Sequence, residues 1–153
     1  MTREGSSGRR QRVRFDGLDY EVFPDGRCRA VVRLEWAGEL FTGEAEGTEP
    51  LAGSLRTAAS ATLRAASEVA RGSLDMTLVG IKAIRAFDVD LVVSSVTARA
   101  GESRYRLLGA KAAEDEELVE AACRSVLDAI NRVLELYVVD PDEPDPDARP
   151  ESG

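Results

Sequence analysis

The sequence predicts an α+β fold made of two similar β-β-β-α units. Three observations lead to this prediction: six segments alternate apolar and polar residues, two segments have helical periodicity, and both halves of the chain place these segments in the same order. A chain of 153 residues is long enough to bury one core. We therefore expect one domain over 12–137, with units at 12–71 and 75–137, in which a helix covers one face of each antiparallel sheet.

The first unit begins with three predicted strands. Apolar residues from Cys28 to Trp36 alternate with residues that are mostly charged, which is typical of a strand with one buried face. This alternation places Trp36 in the core. Gly and Pro-containing segments mark the turns. The strands are predicted at 13–22, 28–36 and 40–45, and the turns at 24–26 and 37–39.

A helix is predicted from Pro50 to Ala70, because Pro suits a first helical turn and Gly72 follows the last periodic residue. Its apolar stripe consists mostly of small side chains, which allow a helix to lie close to a sheet. The predicted stripe comprises Leu51, Leu55, Ala58, Ala59, Thr62, Ala66 and Val69.

The second unit repeats this order. A last helix is predicted from an N-cap at Asp115 to Tyr137, with acidic residues in the first turn, where the helix dipole favours them. Its predicted buried face comprises Leu118, Ala121, Ala122, Val126, Ile130, Val133 and Leu134. The strands are predicted at 76–88, 91–98 and 104–112, with a turn at 100–102.

Several positions in the two halves match. Gly17 aligns with Gly80, and Ala37-Gly38-Glu39 aligns with Ala100-Gly101-Glu102, both at an offset of 63 residues. Four residues of the helices align at an offset of 64, three of them identical: Ala58, Thr62, Leu63 and Ala65 against Ala122, Val126, Leu127 and Ala129. Several matches in one order indicate an internal duplication.

The ends of the chain differ from this domain in composition. Residues 1–11 are rich in Gly, Ser, Thr and Arg and are predicted to form a disordered arm. Residues 138–153 are predicted to form a disordered, Pro-rich tail that serves solubility first and interactions second. From Asp140 onward the tail carries six acidic residues and one arginine, a net charge of −5 out of −8 for the whole chain.

The composition excludes several classes of function. The net charge of −8 disfavours a nucleic acid partner. No apolar run approaches the roughly 20 residues of a membrane span, and no leader opens the chain, so we expect a cytoplasmic protein. Abundant Ala, Arg, Asp and Glu are typical of a bacterial source. Cys28 and Cys123, far apart and within apolar segments, are expected to be reduced and buried.

The chain contains no histidine. A Ser-His-Asp or Cys-His centre and a histidine zinc site are therefore excluded, and the commonest general base is missing. We expect no catalytic residues, no metal and no cofactor. Carboxylates could still act as bases, so an enzyme of another type stays open as a distant alternative.

Two segments resemble a known family. Gly43-Glu44-Ala45-Glu46-Gly47 leads into the first helix, and Gly109-Ala110-Lys111-Ala112-Ala113 precedes the last helix, which contains Asn131-Arg132-Val133-Leu134. These segments resemble the C-terminal regulatory domain of α-isopropylmalate synthase and citramalate synthase. The resemblance extends over about 12–136.

The resemblance implies a non-catalytic regulatory domain that forms a homodimer and binds an amino acid or 2-keto acid as an allosteric ligand. A helix N-terminus attracts a carboxylate, and small residues before it leave room for one. The ligand-binding residues that the resemblance implies are Gly43, Ala45, Gly47, Pro50, Gly109 and Ala113.

Other interpretations of these residues stay open. The Gly-containing segments also suit plain strand-to-helix turns, and Asn131 and Arg132 suit surface capping and salt bridging. Two functions are nearly level: a metabolite-binding dimeric module, and an adaptor that dimerises and docks a protein partner without a small-molecule ligand.

Overall fold

The computed structural model of the chain describes residues 12–113 and 117–138. Two three-stranded antiparallel sheets are each followed by a helix, which confirms the predicted α+β fold of two β-β-β-α units. The predicted arm at 1–11, the predicted N-cap Asp115 and the tail from 139 onward lie outside the described residues. The elements are β1 (Arg14–Val22), β2 (Arg27–Trp36), β3 (Glu39–Thr48), α1 (Leu51–Val69), β4 (Asp75–Ala86), β5 (Val89–Ala100), β6 (Ser103–Ala112) and α2 (Leu118–Tyr137).

In each sheet the middle strand carries the clearest alternation. The strand order is β1-β2-β3 in sheet 1 and β4-β5-β6 in sheet 2. We call the face of each sheet that packs on the helices its inner face and the opposite one its outer face. Trp36 lies on the inner face of β2 and is only 6% exposed, as the alternation predicts. The other inner residues of β2 are Cys28, Ala30, Val32 and Leu34, all fully buried.

The first strands of the two sheets share an irregularity. The register of β1 with β2 shifts between Phe15 and Gly17, and the register of β4 with β5 shifts between Leu78 and Gly80. A β-bulge recurring at one position is expected when two units share an origin. The bulges confirm that Gly17 and Gly80 occupy equivalent positions.

The predicted match between the β2–β3 and β5–β6 turns is wrong by one residue. Ala37 and Gly38 both have positive φ, of 54° and 81°, and together form the first turn. Ala100 is instead the last residue of β5 and pairs with Ser103. Gly101, with φ of 60°, therefore takes the first place of the second turn, whereas Gly38 takes the second place of its own. A two-residue hairpin loop accepts glycine at either place, so the sequence match does not define the register.

The helices differ from their predicted bounds at their first turns. Pro50 is the N-cap residue of α1, and Leu51 is 44% exposed instead of buried. Helical side chains point back towards the N-terminus, so the first residue of α1 has no preceding helical turn to pack against. The N-cap of α2 is Glu117, with extended backbone, and helical structure begins at Leu118, where the apolar period begins.

Both helices contribute to a shared core. α1 packs on β2 and β3, α2 packs on β5 and β6, and the two helices pack on each other. α1 also contacts β4 and α2 also contacts β1, so each helix reaches the sheet of the other unit. Cys28 and Cys123 are both free and buried in this core, as expected. Burial raises the pKa of the Cys123 thiol to about 12.

Candidate functional site

The six residues of the predicted ligand site fall into two groups. Four of them belong to sheet 1 and the start of α1, and two belong to sheet 2 and the residue that follows it. Gly43 and Ala45 are buried on the inner face of β3, and Pro50 is exposed at the start of α1. Gly109 is buried on the inner face of β6. Ala113 donates its backbone N–H to the carbonyl of Asp90 at 2.8 Å.

The two buried glycines are points of closest helix approach. A Cβ added to Gly43 would overlap the carbonyl oxygen of Ala61 and the amide nitrogen of Ala65 in α1. A Cβ added to Gly109 would overlap the carbonyl oxygen of Ser125 and the amide nitrogen of Ala129 in α2. Glycine is therefore required at both positions by backbone contact with a helix. This contact leaves no space for a ligand above either residue.

The space beside Gly47 is also filled by a side chain of α1. A Cβ added there would overlap the hydroxyl oxygen of Thr57 in α1. That hydroxyl donates to the carbonyl of Gly53 at 2.7 Å and accepts the thiol of Cys28 at 3.5 Å. The polar group facing Gly47 is therefore already used within the protein.

A side-chain network lies at the start of α1. The hydroxyl of Tyr20 lies 2.6 Å from Oε2 of Glu49 and 2.7 Å from Oγ of Ser54, and Ser54 Oγ lies 2.9 Å from the same carboxylate oxygen. Hydrogen bonds from Tyr20 and Ser54 lower the pKa of Glu49. Burial and the bond to Glu49 raise the pKa of Tyr20. A carboxylate of the protein itself thus lies beside this helix N-terminus, and its negative charge opposes the binding of the predicted ligand carboxylate there.

The start of α2 faces an acidic cleft of about 1040 Å³ against the edge strand β1. Its charged lining comprises Asp19, Glu21, Glu117, Glu120 and Arg29. The guanidinium of Arg29 is paired with the carboxylate of Glu44 outside this group. Four acidic side chains oppose a bound carboxylate, so this cleft does not suit an anionic ligand.

Asn131 has a role that the sequence did not indicate. The interpretation of this residue as a surface cap is wrong, because it is 5% exposed. Its Oδ1 accepts the N–H of Val13 at 3.3 Å, and its Nδ2 donates to the carbonyl of Val13 at 3.1 Å. A side-chain amide can satisfy both backbone groups of one residue. Asn131 therefore fastens the last helix to the start of the first unit, a contact over 118 residues that no local pattern reveals.

The outer face of sheet 1 is charged. Ion pairs cross it: Arg29 pairs with Glu44, and Arg33 pairs with Asp16 and with Asp19. These carboxylates raise the pKa of both arginines. A charged, paired sheet face is the normal arrangement for a face in contact with water.

The outer face of sheet 2 is apolar over half of its length. Leu108 is 73% exposed there and Ile84 is 41% exposed. Phe87, which is 95% exposed, lies in the β4–β5 turn at the same end of the sheet. We define the apolar half as Ile84, Leu91, Val93, Leu108, Ala110 and Ala112, together with Phe87 at its end.

Residues at equivalent positions of the two outer faces differ in charge. The shared bulges align three rows of residues that lie side by side across each sheet. Most positions that hold a charged residue in sheet 1 hold an apolar residue in sheet 2. In sheet 1 the rows are Glu21, Arg29 and Glu46; Asp19, Val31 and Glu44; and Gly17, Arg33 and Thr42. In sheet 2 they are Ile84, Leu91 and Ala112; Lys82, Val93 and Ala110; and Gly80, Ser95 and Leu108.

The described residues contain neither a metal-binding cluster nor a helix that could span a membrane. Within 12–113 and 117–138 no three or more Cys, Asp or Glu side chains are grouped so that they could hold a metal ion. Neither α1 nor α2 combines the length and apolar character required to cross a membrane. Comparison of the chain with protein-family models finds no match, and comparison with curated proteins finds none either.

Proposed function

We propose that this protein is a non-catalytic module that pairs with a second copy of itself through the apolar half of the outer face of sheet 2. The observation that carries the proposal is the contrast between the two outer faces. Both sheets have the same fold, but of the three aligned rows only those of sheet 1 carry the paired charges expected of a face in water. Exposed, contiguous apolar residues of this kind mark interaction sites.

A second copy suits this surface because the residues are self-complementary. Two apolar halves facing each other bury Leu108, Val93 and Leu91 against the same residues, as a two-fold symmetric interface requires. Lys82, the one charge within these rows, lies on the edge strand β4, where its ammonium reaches water while its stem covers apolar surface.

The area of the apolar half indicates how strongly two copies should associate. Three strands about 4.8 Å apart and roughly 17 Å of strand length give about 250 Å² in plan. A fully buried Phe87 adds about 200 Å². A pair of copies then buries on the order of 1,000 Å², which is at the low end for specific interfaces. We therefore expect a dimer that dissociates on dilution.

The proposal does not include an amino acid or 2-keto acid ligand. Gly43, Gly47 and Gly109 are filled by helix contacts, and Glu49 lies beside the start of α1. The adaptor alternative also includes a dimer and differs from the proposal in having a protein partner. If another protein covers the apolar half instead of a second copy, the pure protein stays monomeric, whereas self-pairing gives a dimer.

The test is the oligomeric state of the wild type and of two matched variants, measured by sedimentation velocity over a range of concentrations. Leu108→Glu places a charge on the outer face of β6, and Leu40→Glu places the same charge on the outer face of β3, where the leucine is 58% exposed. We expect a concentration-dependent dimer for the wild type and for Leu40→Glu, and a monomer for Leu108→Glu. A wild type that stays monomeric at all concentrations contradicts self-pairing. A dimer that survives Leu108→Glu places the interface elsewhere.

A further inference from the structure

The other half of the outer face of sheet 2 carries an arginine cluster. We define the arginine cluster as Arg99, Arg104 and Arg106, which line a groove of about 570 Å³ with Asp75, Thr77 and Thr97. Arg99 and Arg104 lie directly opposite each other in the β5–β6 ladder, and Arg106 lies opposite Thr97. The guanidinium of Arg99 lies 3.5 Å from the carboxylate of Asp75.

This arrangement is electrostatically unfavourable by itself. Like charges directly opposite on neighbouring strands destabilise a sheet. Within the described part of the chain, Arg104 and Arg106 form no ion pair, and one carboxylate faces three guanidinium groups. An acidic partner would relieve this repulsion through charge-assisted hydrogen bonds.

The end of α2 lies at the same end of sheet 2, on its inner face. The hydroxyl of Tyr137 is 2.8 Å from the hydroxyl of Tyr105, a residue that lines the groove between Arg104 and Arg106. The hydroxyl of Ser73, two residues before β4 begins, lies 3.4 Å from the carbonyl oxygen of Tyr137. Val138, the next residue, therefore lies near the end of sheet 2 that carries the arginine cluster.

The residues after Val138 have the complementary charge. Asp140, Asp142, Glu143, Asp145 and Asp147 follow within a few residues. At no more than about 3.6 Å per residue, Asp147 lies within roughly 32 Å of Val138, a distance that covers the groove. A short connection of this kind gives an effective concentration in the millimolar range, so even weak surface ion pairs become populated.

We infer that the arginine cluster binds the acidic segment 140–147 of the same chain. This contact uses other side chains than self-pairing does, although the two surfaces adjoin, because Arg106 and Leu108 lie two residues, roughly 7 Å, apart along β6. Occupation by the chain's own acidic segment keeps other anions out of the groove.

The test uses the full chain with a spin label at Ala148→Cys, since both native cysteines are buried. Broadening of the backbone amide signals of 97–106 is measured by NMR. We expect broadening at low salt, and its loss both at 1 M salt, where the Debye length is about 3 Å, and in Arg104→Glu/Arg106→Glu. The control Arg56→Glu/Arg132→Glu reverses two exposed arginines elsewhere and should leave the broadening unchanged.

Two outcomes overturn the inference. The first is broadening of 97–106 that is equal in the wild type and in Arg104→Glu/Arg106→Glu, because proximity to the end of α2 would then explain it. The second is broadening in a mixture of spin-labelled protein with unlabelled ¹⁵N protein at a concentration low enough to dissociate the dimer, because the acidic segment would then bind a second copy. Unchanged amide signals outside the mutated strand show that the variant is folded.

Discussion

At the scale of single residues, two side-chain clusters connect distant parts of the chain. Asn131 holds both backbone groups of Val13, and Tyr20 holds Glu49 and Ser54 where β3 passes into α1. Each cluster is polar, and each satisfies groups that burial or a helix start would otherwise leave unpaired. Both clusters therefore hold segments of the backbone in place and do not form part of a ligand site.

We expect Asn131→Ala to lower the free energy of unfolding by about 2 kcal/mol, because a buried N–H and a buried carbonyl of Val13 lose their partner. Urea unfolding measures the change. The neighbouring variant Arg132→Ala removes an exposed side chain and should change stability by no more than about 0.5 kcal/mol. Equal effects of the two substitutions would show that the hydrogen bonds to Val13 contribute nothing.

At the scale of elements, close packing of helix on strand depends on residues without side chains. Gly43 lies against the backbone of α1 and Gly109 against the backbone of α2, at equivalent places in the two units. The small residues of the helices, such as Ala61, Ala65 and Ala129, complete the contact. The glycines that resembled part of a ligand site therefore have a packing role in this protein.

We expect Gly43→Ala to destabilise the protein by about 1–3 kcal/mol, because the added methyl group forces α1 away from β3. Gly80→Ala is the matched control, since a Cβ there meets nothing within 4 Å and its backbone φ is not positive. This control should be neutral or stabilising by up to about 1 kcal/mol. Thermal unfolding followed by circular dichroism compares the two variants. A neutral Gly43→Ala would contradict the close contact.

At the scale of the whole molecule, the two units share one core. α1 contacts β4, α2 contacts β1, and the helices contact each other, so neither unit buries its helix alone. The hydrogen bonds between the side chain of Asn131 and the backbone of Val13 add a polar link between the last helix and the residue that precedes the first strand. Shared burial of this kind couples the stability of both units.

We expect both units to unfold in one transition. The fluorescence of Trp36, the one tryptophan, reports on the first unit, and far-ultraviolet circular dichroism reports on both. Their urea midpoints should coincide, and Asn131→Ala should move both by the same amount. Two separate midpoints would show that the units are stable independently of each other.

Local patterns were sufficient for most of the fold. Alternation in Cys28–Trp36 and helical period in 118–134 determined the type and order of the elements, because period 2 and period 3.6 each leave one apolar face. The duplication was also readable, since Gly17 and Gly80 mark the same bulge. The alignment of Ala37-Gly38-Glu39 with Ala100-Gly101-Glu102 misplaces the β5–β6 turn by one residue, because a two-residue loop takes glycine at either position.

Only the tertiary structure shows what the predicted ligand-site residues contact and which residues form each outer face. Whether Gly109 faces a ligand or a helix depends on which element packs over it, and the burial of Asn131 depends on a partner 118 residues away. The contrast between the outer faces emerges only when the register aligns Glu21, Arg29 and Glu46 with Ile84, Leu91 and Ala112. The periodicity of a strand shows that its two faces differ, but only the pairing of strands shows which residues share a face and what covers it.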